Sequence, residues 1–186
     1  MAYRYGFKTE ANNIATDVRQ ELGLGPLERL DPRRLADSLE IPILDLSVLA
    51  RDAPTVRHLI DVEPEVFSAV TVFAGTRRTI VHNDGHAASR QNSNITHELA
   101  HGLLHHPPTP ALDDKGCRAW DQAIEDEASW LAGALLVPEA ATIEIGRGRW
   151  TRSAAAHHFG VSKKMIQFRL NATGAIKRVQ RARYAG

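Results

Sequence analysis

The chain has 186 residues, 43% of them hydrophobic, which is enough for one substantial core with at most a small appended module and excludes a large multidomain enzyme. Its 23 Lys and Arg against 22 Asp and Glu leave a net charge of +1, so the molecule as a whole has no strong pull toward nucleic acid or membrane, and any basic patch is local. The single cysteine, Cys117, excludes an internal disulfide and a cysteine-based zinc cluster; with no signal peptide and no apolar run of membrane-spanning length, the expectation is a soluble cytoplasmic protein.

In chain order, Ala11, Ile14, Ala15, Val18 and Leu22 recur at helical spacing and Gly23 to Pro26 supplies a stop, which predicts an N-terminal amphipathic helix. Asp31 before Pro32 reads as an N-cap and first helical residue of a short helix with Leu35, Ala36 and Leu39 on its apolar side, ending before Pro42. Ile41 to Leu46 reads as a short strand, and Ser47 to Glu65 has mixed charge, two prolines and no clear period. Val66 to Phe73 and Thr79 to Val81 are rich in β-branched and aromatic residues; with Gly75 and Thr76 between them they predict a hairpin.

A polar segment, Asn83 to Asn94, precedes a histidine-rich helix that the prolines of Pro107 to Pro110 end. Asp113 to Gly116 is a loop by composition, and Ala119 to Val137 predicts a second long helix with Ile124, Ala128, Leu131 and Leu135 on one face, closing at Pro138. Beyond Arg147 the character changes: a helix around Ala154 to Ala156, a turn at Gly160, and a helix over Lys163 to Thr173 that stops at Gly174. The basic tail, Lys177 to Tyr184, reads as frayed. These elements divide the chain into residues 1–146 and a helical, helix-turn-helix-like segment, 147–186, packed on the first.

The segment that carries chemistry is HELAH, His97 to His101. Residues four apart on a helix share a face, so both imidazoles can reach one tetrahedral zinc, while Glu98 can reach a water beside that zinc without ligating it. A metal lowers the pKa of its water toward neutrality and a carboxylate then takes the proton, which makes Glu98 the candidate general base. Ile95, Leu99, Ala100, Leu103 and Leu104 around the triad mark a helix packed beside a cleft. A catalytic zinc needs a third protein ligand. Glu125 and Glu127 both lie at the margins of the next helix's apolar face, and periodicity does not choose between them.

RQNSNITHELAHGLLHH followed by EDEASWLAGALLVP resembles the ImmA/IrrE metallopeptidases, relatives of the glutamate-zincins. The resemblance implies an α+β zincin-like fold with a small antiparallel sheet, and a third ligand supplied by the glutamate of an E-x-x-A-[DN] pattern. Glu125, Ala128 and Ser129 match it, which makes His97, His101 and Glu125 the expected Zn²⁺ ligands. Ser129 departs from the acidic or amide residue that hydrogen-bonds a ligand histidine in related enzymes. The resemblance also implies a strand bordering the cleft, Val66 to Phe73 or Thr79 to His82, along which an extended substrate can pair.

The implied activity is regulatory endopeptidase cleavage of an intracellular protein, a helix-turn-helix repressor in stress responses or mobile-element control. The alternative is a non-catalytic regulator that binds DNA or a partner, including an antitoxin-like protein. His105 and His106, at the helix end, and His82 and His86, before the motif, read as solvated rather than ligating, and Cys117 as inert. In Ala154 to Leu170, Ser162 can cap the second helix and Lys163, Lys164 and Arg169 can meet phosphates, although core packing is the stronger expectation for that segment.

Overall fold

The computed structural model describes residues 3–107 and 121–184; Cys117 and the Asp113 to Gly116 loop lie outside them. The first helix, α1 (Phe7–Glu21), buries Phe7, Ala11, Ala15 and Val18 and packs along α6 (Gln122–Leu136). It stops where expected, with Gly23 at φ 67°, a left-handed conformation that glycine adopts without steric cost. In α2 (Pro32–Ser38) the Asp31 carboxylate accepts a hydrogen bond from the Arg33 amide at 2.9 Å, as the cap reading requires.

The aperiodic stretch holds β1 (Ile43–Asp45) and two short helices, α3 (Leu46–Leu49) and α4 (Pro54–Asp61). In α4 the apolar Val56, Leu59 and Ile60 stand at helical spacing but are only partly buried, and eight residues beginning at Pro54 are too few for the period to stand out. The hairpin forms from β2 (Ala69–Ala74) and β3 (Arg77–His82), antiparallel with Val70 opposite Val81, and Gly75 turns at φ 63°. The sheet is mixed rather than wholly antiparallel: β1 pairs parallel to β3, Ile43 against Ile80 and Asp45 against His82, giving the order β1-β3-β2. The intervening helices supply the long connection that a parallel pair needs.

Helix α5 (Ala88–Leu103) lies against the hairpin on one side and α6 on another; α7 (Glu139–Gly146), α8 (Arg152–Phe159), α9 (Lys163–Thr173) and α10 (Ala175–Tyr184) follow. The tail expected to fray is therefore helical through Tyr184, anchored by buried Ala175 and Val179. A single core joins Phe7 and Leu35 to Ile80, Leu99, Leu131 and Leu135, and also to Phe159, Ile166 and Leu170 of the C-terminal helices. No single helix among the described residues is long and apolar enough to cross a membrane.

Helix α6 is the centre of the packing, with every residue from Trp130 to Leu136 buried. Its last carbonyls have no partner within the helix, and two buried arginines meet them: Arg19 donates to the Leu135 carbonyl and Arg169 to that of Val137, each at 3.0 Å. Arg169 is thus no phosphate ligand. Its side chain is fully buried 5.3 Å over the Trp130 ring, and burial pulls its guanidinium down to about 10.

Two substitutions test this arrangement in urea or thermal unfolding. Leu131→Ala, at a fully buried position, should cost about 2–5 kcal/mol; a loss under about 1 kcal/mol contradicts the central place of α6. Ser162→Ala removes the hydroxyl that accepts from the Met165 amide at 3.1 Å and should cost about 1 kcal/mol.

Candidate active site

Helix α5 starts seven residues before its apolar period because its polar first turns find partners. Gln91 donates to the carbonyls of Asp84 at 2.9 Å and His86 at 2.7 Å, Arg90 donates to Ser68 at 3.1 Å, and Asn92 donates to the Gly160 carbonyl at 2.8 Å. Ile95, Leu99 and Ala100 then face the core, which turns His97 and His101 toward α6. Asp121 caps α6 through the Ala123 and Ile124 amides, at 2.9 and 3.4 Å. Glu125 follows in its first turn, where the helix dipole favours a carboxylate.

The three side chains converge. His97 Nε2 stands 3.1 Å from His101 Nε2 and 3.0 Å from Glu125 Oε2, and His101 Nε2 lies 3.8 Å from Glu125 Oε1. Donor atoms about 2.0–2.1 Å from one tetrahedral zinc are about 3.3–3.4 Å apart, so the spacing suits such an ion. Each of the three side chains is about a quarter exposed, which leaves the focus open on one side. His101 and then His97 hold the Glu125 carboxyl far below the usual carboxylate range. Glu127 does not share the focus; its carboxylate faces His106 Nε2 at 3.5 Å and Arg4 Nε at 3.2 Å.

The second nitrogen of each histidine also meets a partner. His97 Nδ1 lies 3.4 Å from Ser129 Oγ, a long contact, so serine keeps the placement of the expected amide or acid with a shorter reach. His101 Nδ1 lies 3.0 Å from His106 Nδ1. With the Nε2 lone pairs aimed at the focus, Nδ1 of His101 carries the proton and donates it to His106, whose Nε2–H then points to Glu127. Burial lowers the His106 pKa, which favours this neutral form.

His106 gets there because α5 does not run on to the prolines. His105 is left-handed at φ 54°, and the amides of His106 and His105 bond back to the carbonyls of His101 and Gly102 at 3.0 and 3.1 Å. This pair of bonds closes a helix with a residue usually found as glycine, and it folds His106 back onto His101. The expectation that both histidines extend the helix into solvent therefore fails for His106, which is 8% exposed.

Glu98 faces the sheet instead of α6, and its Oε2 accepts a hydrogen bond from Thr71 Oγ1 at 2.7 Å. Thr71 sits on β2, whose outer edge pairs with no other strand among the described residues; β3 is the central strand, so Thr79 to His82 has no free edge. One turn on, a Cβ at Gly102 would stand 2.7 Å from Arg78 Nη1, and that arginine lies 5.6 Å over Phe73. His82 and His86 are buried rather than solvated: His82 Nε2 meets Asp45 at 2.7 Å and His86 Nε2 meets the Pro64 carbonyl at 2.8 Å. Sequence reasoning missed Thr71, Arg78 and His106. Thr71 had a visible cue, a polar residue between Val70 and Val72, whereas His106 depends on a backbone turn with no glycine to announce it.

Metal titration tests the arrangement. Glu125→Ala should abolish tight binding of one equivalent of Zn²⁺, and His106→Phe should weaken it about 10- to 100-fold by freeing the His101 ring. Unchanged affinity in His106→Phe would remove its positioning role.

Residues 52–171 match the Peptidase M78 family, described as the IrrE N-terminal-like domain. No curated protein matches the chain. The match runs from α4 through α9 and includes His97, Glu98, His101 and Glu125. Because it covers well over half of the 186 residues and its motif residues meet in space, the chain belongs to the IrrE N-terminal-like, Peptidase M78 family.

Proposed function

We propose that the protein is a zinc-dependent endopeptidase that cuts an intracellular regulatory protein, of the helix-turn-helix repressor class implied by its resemblance to ImmA/IrrE proteins. Family membership supports a metal-dependent peptidase type in general. The observation that carries the finer reading is the meeting of two imidazoles and a carboxylate within 4.8 Å of one another, with a second carboxylate, Glu98, next in sequence and turned to the neighbouring strand. Two nitrogens with one carboxylate oxygen are a donor set that suits zinc, and three protein ligands are the number a catalytic site uses.

The chemistry a bound Zn²⁺ supplies in such a site is polarisation of the scissile carbonyl and acidification of water. His97, His101 and Glu125 hold it, the two rings being oriented by Ser129 and His106. Glu98 removes the proton from the attacking water and delivers it to the leaving amine, so that one carboxylate serves as base and then as acid. Thr71 fixes the Glu98 carboxylate on the cleft side.

The outer edge of β2, unpaired among the described residues, takes the substrate backbone as an added strand, which requires an extended segment. The bond cut therefore lies in a linker or terminal arm of the repressor and not inside a folded helical domain.

Co-expression with a candidate helix-turn-helix repressor tests the reading. The wild type should cleave it, while Glu98→Gln should retain one equivalent of zinc and the native unfolding temperature yet cut about 10²–10⁴-fold more slowly. Equal cleavage by both proteins would exclude Glu98 as the base.

A further inference from the structure

Charge is divided along this chain in a way that the net value of +1 conceals. Residues 1–146 carry 13 Lys and Arg against 22 Asp and Glu, whereas residues 147–186 carry 10 Lys and Arg and no acidic residue. Glu144 pairs with Arg147 at 2.7 Å and Arg149 at 3.6 Å, Glu139 pairs with Arg178, and Arg169 is buried. Arg152, Lys163, Lys164, Lys177, Arg181 and Arg183 are exposed and have no acidic partner among the described residues. A face exposed only for solubility ordinarily mixes both signs. Here the C-terminal end of the chain is uniformly positive in sequence and the remainder net negative.

The α8 and α9 pair lies within that positive end. Three residues join the helices, with Gly160 at φ 64° in the turn. A Cβ at Gly160 would stand 2.5 Å from Arg29 Cζ, and the Gly160 carbonyl accepts from Asn92 of α5, so the turn is fixed to the body of the protein. Ala155, Ala156, Phe159, Val161, Ile166 and Leu170 form the buried seam. At about 100° per residue, Lys163, Gln167, Asn171 and Lys164 fall within about 100° on the opposite side of α9. Those four are exposed or partly exposed, and Gln167 donates to Asn171 at 2.8 Å. Lysines suit phosphates and guanine, and Gln and Asn suit the adenine edge of the major groove.

We infer that the α8–α9 pair is a duplex-DNA-binding surface, with Lys163, Lys164, Gln167 and Asn171 of α9 presented to the major groove. The negative charge of residues 1–146 turns the rest of the molecule away from the phosphates and orients the encounter. None of these four residues is a ligand of the metal focus, and the inference is independent of the peptidase reading.

The test is fluorescence anisotropy of labelled mixed-sequence duplex DNA with the full chain over a series of salt concentrations. The wild type should bind with an affinity that falls steeply as salt rises. Lys163→Ala with Lys164→Ala, both exposed, should keep the unfolding temperature, weaken binding about tenfold or more, and reduce the log–log salt slope by about two. Glu98→Gln should bind as the wild type does. Duplex binding unchanged in the double variant, no duplex binding by the wild type at low salt, or tighter binding to single-stranded RNA or to phosphatidylserine vesicles than to the duplex would each overturn the inference.

Discussion

The close contact between α5 and α6 is the constraint from which the site follows. A carboxylate on one helix reaches two imidazoles on another only if the helix axes approach closely, and the residues at the contact are small or fully interior: Ala100 and Leu99 from α5, Ala128 and Leu131 from α6. Helices packed through alanine sit at the short end of the usual 8–10 Å range. The same packing turns Glu98 away from its neighbours, because adjacent residues on a helix point about 100° apart. The two histidines and the base thus come from one segment yet address two walls of the cleft, α6 and β2.

Holding α6 in place is a separate problem, since a helix so apolar must be buried and its terminal carbonyls go with it. Arg19 comes from the N-terminal helix and Arg169 from the C-terminal pair, so the two ends of the chain close over the same helix end. A buried guanidinium lacking an acidic partner is costly to desolvate; the helix dipole and the Trp130 ring offset part of that cost for Arg169. This explains why the C-terminal helices share the core with the metal helices although their sequence has a different character.

Where the sequence was legible, the signal was local. The Asp31 cap, the hairpin about Gly75, the stop at Gly23 and the helix pair about Gly160 all depend on residues within a turn of one another, and each stands where expected. His97 and His101 share a face for the same reason. What could not be read depended on tertiary partners or on helices too short to show their period. Periodicity did not separate Glu125 from Glu127, and only the pattern of the resembled family favoured Glu125; in the fold Glu127 is drawn off by Arg4 and His106, while α4 is too short for its partly buried Val56, Leu59 and Ile60 to announce a helix. Arg169 was grouped with Lys163 and Lys164 as a candidate phosphate contact, although Phe168 and Leu170 flank it, and only the fold reveals that its direction on α9 is inward.

The outer edge of β2, unpaired among the described residues, has a further consequence. A strand that offers unpaired amides and carbonyls to one chain offers them to any other, and β2, Ala69–Ala74, carries no charge of its own and exposes Val72 and Phe73. Edge strands of this kind invite self-association and aggregation. Here the hazard is limited by brevity and by the arginines paired with its last two residues, Arg78 opposite Phe73 and Arg77 opposite Ala74.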